Sequence, residues 1–184
     1  KWDYVEINAK NYHSCLSLLN TWKEKAIKKN PELKPDYEKE KKVIEYLFSN
    51  FDALDLKAGA IKVEEKIIAF TIGSKINNFT FDIHIEKADR DFEGAFAVIN
   101  KEFAKRLDTS YKFINREEDL GIEGLRKAKL SYLPIKLIEK YIATLKWKQF
   151  NNKQKNFGEK PLVILQSTLI NFLIYTLNPT ISFI

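Results

Sequence analysis

Residues 80–134 read TFDIHIEKADRDFEGAFAVINKEFAKRLDTSYKFINREEDLGIEGLRKAKLSYLP, and the order of what they contain decides the fold. First comes an alternating run. Phe79, Phe81, Ile83 and Ile85 fall on one side of an extended chain, and Thr80, Asp82, His84 and Glu86 on the other. The loop Arg90-Asp91-Phe92-Glu93-Gly94-Ala95 then opens a helix from Gly94 to near Leu107, with Phe96, Ile99, Phe103 and Leu107 as its apolar stripe. Tyr111 to Asn115 is a short apolar run that reads as a strand. An acidic turn, Asn115 to Asp119, leads into a basic helix starting near Gly121 or Ile122. Asp119 is placed to cap that helix, Ile122, Leu125 and Ala128 face inward, and Pro134 stops it.

Towards the N-terminus, residues 1–8 read as a short lead-in strand or linker. Asn11 is placed to cap a helix running to near Lys29, with Cys15, Leu16, Leu19, Trp22 and Ala26 at three- and four-residue spacing. Asn30-Pro31 ends it, because the residue before proline avoids helical angles. Pro35 and Asp36 open a second helix with Ile44, Leu47, Phe51 and Leu54 as its stripe. Ala58 to Val63 and Lys66 to Ser74 flank Glu64-Glu65 and read as a β-hairpin. Gly73 inside the second strand marks a bulge or a close backbone approach.

Towards the C-terminus, residues 135–143 read as a last strand or a short helix, with the strand favoured. The order is then helix, helix, three strands, helix, strand, helix, strand. Antiparallel strands followed by β-α-β-α-β predict an α/β protein with a mixed sheet and helices on both faces. Pro161 to Ile184 holds no charged residue. Its length would suit a membrane span, but Gln166, Ser167, Asn171, Asn178 and Pro179 favour a packed or exchanged appendage, or an extension replacing the native end.

The totals narrow the function classes. A chain of 184 residues can bury a core of its own. A single cysteine, Cys15, excludes an intrachain disulfide, and its place on an apolar stripe predicts packing, not catalysis. The net charge is +6, but the segment from Thr144 onward accounts for +4 of it, so overall basicity gives no argument for nucleic acid. The chain begins at Lys1 and lacks methionine, which suggests a fragment, and no secretory signal is visible.

Several polar residues suggest chemistry. His84 and Glu86 share a strand face, about 7 Å apart along the chain. A neutral imidazole there takes a proton from an attacking hydroxyl, and a carboxylate orients it. Asn115, Arg116, Glu117, Glu118 and Asp119 leave a strand end, where open sheets commonly build sites. Glu117 or Asp119 offers a charge partner for an ammonium group, while Arg116 has Glu86 or Glu118 as an internal alternative. Arg126 and Lys129 share a helical face beside Lys127 and suit phosphate groups or plain solvation. Asn100, a poor helix former in mid-helix, implies a polar task, with bonding to a neighbouring loop as the simpler one.

The strings IIAFTIG (67–73), IHIEKAD (83–89), INKEFA (99–104) and above all FINREEDLGIEGLRKAKLSYLP (113–134) resemble the C-terminal catalytic domain family of phosphatidylglycerol lysyltransferases. The resemblance covers residues 3–145. It implies a GNAT-type acyltransferase fold, in a family that carries two tandem copies, with this chain similar to the second copy and lacking the first. On that basis residues 1–145 form a GNAT-like domain and 146–184 an apolar tail outside the resemblance.

The activity implied is aminoacyl transfer from a tRNA ester to a lipid or other acceptor, with aminoacyl-tRNA as donor and no metal or redox cofactor. His84, Glu86 and Glu117 are the implied catalytic residues. Asn100, Asn115, Arg116, Glu118, Asp119, Arg126, Lys127 and Lys129 are the implied substrate contacts. Direct transfer without a covalent enzyme intermediate is expected. GNAT members that use acyl-coenzyme A hold its pyrophosphate in a Q/R-x-x-G-x-G/A loop. Here Arg90–Ala95 has one glycine and two acids, which disfavours coenzyme A. An acetyl-coenzyme A-dependent N-acetyltransferase and a non-catalytic half that needs its partner domain remain as alternatives. A cytoplasmic location is expected, at the inner membrane surface where the acceptor is a lipid.

Overall fold

Period-2 and period-3.6 apolar patterns alternate along the chain, and the structure follows them element by element. It is a computed structural model describing residues 1–146 and 162–174. These fall into two units, one holding Lys1–Arg116 and the other Glu117–Ile174.

The first unit contains β1 (Asp3–Ile7), α1 (His13–Lys29), a 3-10 turn (Pro31–Leu33), α2 (Lys34–Ser49), β2 (Lys57–Val63), β3 (Lys66–Asn77), β4 (Thr80–Ala88), α3 (Ala95–Ala104) and most of β5 (Phe113–Glu118). The strands lie in the order β1-β2-β3-β4-β5. The first three pairings are antiparallel and β4–β5 is parallel, joined through α3.

Helices cover both sheet faces, as the element order predicts. On one face α1 and α2 lay Cys15, Leu18, Leu19, Ile44 and Phe48 over Ile7, Ala60, Phe70 and Ile72. On the other, Ala95 and Ile99 of α3 pack on Ile61, Ile68 and Ala69. Phe103 and Leu107 pack on Phe81, Ile83 and Ile114. Each buried Leu, Ile or Phe among them contributes about 1.5–3 kcal/mol on burial. Cys15 is fully enclosed, and burial pushes its thiol up to about 12, so it is core, as its stripe position suggests.

The differences from the pattern are local. Asn11 does not cap α1. Its side chain instead bonds the Asn8 amide and the Glu6 carbonyl, closing the turn before the helix, and Tyr12 takes the cap position. α2 and α3 end before Phe51 and Leu107, which are still buried, whereas Leu54 and Phe96 are exposed.

The second unit contains α4 (Glu123–Leu130), β6 (Lys136–Lys146) and β7 (Leu162–Ile174). β6 and β7 pair antiparallel along the whole of β6, with one register shift at Lys140/Tyr141. The strand expected over 135–143 is therefore present. The uncharged stretch from Pro161 is a strand over Leu162–Ile174, in keeping with Val163, Ile164, Thr168 and Ile170, which are β-branched. The rest of that stretch, 175–184, lies outside the described residues. Among the described residues no helix is long and apolar enough to cross a membrane.

Candidate active site

The site begins with an irregularity in β4. Ile85 pairs with Ile72 and Ile83 pairs with Gly73, so the ladder steps over His84. An extra residue of this kind bends the strand and re-aims the side chains beyond it. Ile83 accordingly packs with Phe81 against Phe103 of α3, whereas Ile85 packs in the core of α1 and α2. Gly73 sits where the expected close approach occurs: a Cβ there would lie 2.1 Å from the Asp82 carbonyl oxygen and 2.5 Å from the Phe81 ring.

On the α1/α2 face, three polar groups converge. Ser74 of β3 is the ladder partner of Asp82. The Nε2 atom of His84 is 2.8 Å from the Ser74 Oγ. Its Nδ1 atom is 3.5 Å from the Asp82 Oδ2. The side chains of His84 and Asp82 are 29% and 13% exposed, which leaves the imidazole reachable and the carboxylate mostly covered. Asn115 of β5 stands beside Asp82 in the parallel register.

Glu86 does not share this face with His84, contrary to simple alternation, because the bulge intervenes. It turns to the α3 side, where its Oε1 accepts from Arg116 Nη2 at 2.6 Å and its Oε2 from Asn100 Nδ2 at 3.4 Å. The Glu86 and Arg116 side chains are 9% and 8% exposed, so the pair is desolvated. The internal partner foreseen for Arg116 is thus Glu86, and Asn100 bonds to a strand and not to a loop.

In the second unit the acidic turn folds on itself. Glu117 has φ 54°, Leu120 φ 52° and Gly121 φ 73°. Left-handed angles at non-glycine residues cost energy and gather at functional sites. Asp119 is buried and does not cap α4, whose first position follows Ile122 without a side-chain cap. Its Oδ1 accepts from the Gly121 amide at 2.9 Å, and its two oxygens accept from Arg126 Nε and Nη2. The Arg126 guanidinium holds the Asp119 carboxyl below the usual carboxylate range, against the opposing effect of burial.

Lys129 is buried and donates from Nζ to the Glu118 carbonyl at 2.6 Å. Arg126 and Lys129 are therefore committed within the unit, while Lys127 is exposed. Ile122 and Ala128, expected to face inward, are exposed as well, and Lys129 is the buried residue of α4.

The loop before α3 is also occupied. Asp89 is 4% exposed and receives Lys66 Nζ at 2.8 Å, Lys25 Nζ at 3.3 Å and the Asp91 amide at 3.3 Å. Lys25 also donates to Asp91 at 2.6 Å. The Ala95 amide bonds the Phe92 carbonyl, and Gly94 stands at φ 75° before the helix.

Sequence reasoning passed over Ser74. It carries no motif, and only the β3–β4 register brings it to His84.

The family model for the C-terminal part of phosphatidylglycerol lysyltransferase matches residues 1–144. The chain belongs to this family.

A conserved protein of unknown function from Bacteroides thetaiotaomicron VPI-5482 is 35% identical, with a TM-score of 0.68 over 96% of this chain and 48% of its own. The lysyltransferase-family chain thus spans about half the length of that relative. The PaiA N-acetyltransferase of Thermoplasma acidophilum, solved with coenzyme A, matches at 9% identity and a TM-score of 0.55, over 95% of this chain and 99% of its own. A GNAT-family protein from Desulfovibrio desulfuricans matches at 8% identity and a TM-score of 0.57, over 97% and 100%. These last two show the fold, which is GNAT. No curated protein matches the chain.

Proposed function

We propose that this chain is the C-terminal half of an aminoacyltransferase that moves an aminoacyl group from its tRNA ester to a hydroxyl or amine acceptor, with a lipid as the leading acceptor. The observation that carries this reading is the family match over residues 1–144, on a sheet that holds His84 at the β4 bulge. Asp82, an acceptor only, favours the tautomer with the proton on His84 Nδ1. That leaves the Nε2 lone pair to take a proton from an attacking hydroxyl. The buried Glu86–Arg116 pair fixes β5 beside β4 and keeps the site in register. Glu117 and Glu118, in the second unit, supply carboxylates of the kind that hold an α-ammonium group. Lys127 offers a charge to phosphate.

The crowded loop before α3 argues for a donor other than coenzyme A. Its Asp91 amide is taken by Asp89, and Asp91 and Glu93 place negative charge where a pyrophosphate would approach. With a lipid acceptor the enzyme works at the inner membrane surface. On this reading a partner domain, beyond the half of the relative's length that this chain matches, completes the active protein.

The test is to incubate the full-length parent with charged tRNA pools and lipid extract, following label into lipid, peptide and small amine. Label in lipid is expected, with loss on His84→Ala. Unchanged turnover of that variant would remove His84 from the chemistry.

A second reading is acetyl-coenzyme A-dependent N-acetylation, favoured by the coenzyme A held in the Thermoplasma acidophilum structure. Tight binding of acetyl-coenzyme A in a calorimetric titration would favour it over the tRNA ester.

A further inference from the structure

We infer that the cavity where β1 ends and β2 begins is a binding site for a free apolar amino acid, held as its zwitterion. The cavity shares no lining residue with the His84 cluster, so binding there is independent of acyl transfer.

The cavity measures about 300 Å³, at the small end of the range for small-ligand sites. Phe103 and Leu107, at and beyond the end of α3, and Phe51 and Leu56, after α2, are buried and supply its apolar lining. Its polar lining comes from Tyr4, Glu6, Lys57 and Arg106. Tyr4 and Glu6 are two positions apart on β1 and share a sheet face. Gly59 is the ladder partner of Glu6, and Lys57 stands two positions before it, so Lys57 lies on that face too. A Cβ on Gly59 would lie 2.0 Å from the Tyr4 hydroxyl, so the glycine leaves the room that the ring occupies.

The polar groups are held ready and only partly used. The Arg106 Cζ lies 4.0 Å from the Tyr4 ring centroid, and Nη1 donates to the carbonyl and carboxylate of Glu102 at 2.8 and 2.7 Å. A guanidinium fixed in this way keeps Nε and Nη2 for a carboxylate. Among the described residues, the Lys57 ammonium, the Glu6 carboxylate and the Tyr4 hydroxyl have no hydrogen-bond or ion-pair partner. Burial pushes the Tyr4 phenol up to about 12, against the pull of Arg106, so it stays a donor at neutral pH.

Two cations and one carboxylate beside an apolar lining suit a molecule with one carboxylate, one ammonium and an aliphatic side chain. Arg106 and Lys57 take the α-carboxylate, Glu6 takes the α-ammonium, and the apolar lining takes the side chain. A simple carboxylic acid leaves Glu6 unpaired, and a simple amine leaves both cations unpaired.

The test is a titration of the whole nitrogen-15-labelled chain with L-leucine, followed by amide shifts. Saturable shifts at Gly59 and Leu107 are expected, with a Kd below about 1 mM. The single-charge analogues 4-methylpentanoate and 3-methylbutylamine should each bind about 10-fold more weakly or worse. Glu6→Gln and Lys57→Gln, both at exposed positions, should each weaken L-leucine about 10-fold without moving the thermal midpoint. No saturation by L-leucine in that range, equal binding of either analogue, or unchanged affinity in either variant would overturn the inference.

Discussion

Arg116 and Glu86 close a buried ion pair of 2.6 Å between β5 and β4, at the end of the parallel ladder that runs from Thr80 to Asp82. Removing one partner leaves a desolvated charge. Arg116→Ala is expected to cost about 3–5 kcal/mol, whereas the double change Glu86→Leu with Arg116→Met costs far less. Urea denaturation of the three proteins checks this. A loss in the double variant as large as in the single would show that the pair acts through more than its charges.

Gly73 makes room for the bulge, so Gly73→Ala forces either β4 or the new methyl aside. About 1–3 kcal/mol of destabilisation is expected, together with a loss of the proposed transfer activity larger than the folded fraction explains. Gly94→Ala is the control. It meets nothing within 4 Å but stands at φ 75°, so it costs only the left-handed strain of about 1–2 kcal/mol. Thermal melts and turnover at a temperature where both variants are folded separate the two effects.

Asp89 ties α1 and β3 to the loop before α3 through Lys25 and Lys66. Burial pushes its carboxyl up, but the bonds from Lys66, the Asp91 amide and Lys25 outweigh this and set it below the usual value. A depressed carboxylate stabilises the fold above its unfolded pKa, near 3.9, and that stability is lost as pH falls through the lower folded value. The urea midpoint of the unmutated chain should therefore fall on going from pH 6 to about pH 3. The fall should be shallower in Asp89→Asn, which starts lower. Parallel curves would remove Asp89 from the acid response.

Asp119 holds the turn before α4 through the Gly121 amide and Arg126. In Asp119→Ala the Gly121 amide loses its acceptor, and hydrogen exchange there should speed up while exchange in β2 and β3 stays as it was. In Arg126→Ala the Gly121 bond survives, so exchange at that amide changes little, but the Asp119 carboxyl rises from its depressed value. NMR exchange and carboxyl titration read the two outcomes separately.

Much of this was legible before any coordinates. The stripe of α1 announced Cys15 and Leu19 as core, the hairpin around Glu64-Glu65 is where the alternation put it, and Gly73 marked the place where strands approach. The site was legible only in outline. His84 was recognisable by residue type, yet its partner Ser74 was not. Glu86, two residues away, was assigned to the wrong face because alternation assumes an unbroken ladder. Asn11 and Asp119 have good capping chemistry, and both spend it on turns just outside their helices.

By itself the sequence determined the fold class, the order of elements up to β6 and most of the residues that enter the core, because these follow from local periodicity and from apolar side chains leaving water. Only the tertiary structure decided which polar groups meet. Ser74 and His84 are ten positions apart, and Glu86 and Arg116 thirty. Those meetings depend on strand register, and a single extra residue in β4 changes the face of everything after it, an effect that no pattern of residue types records.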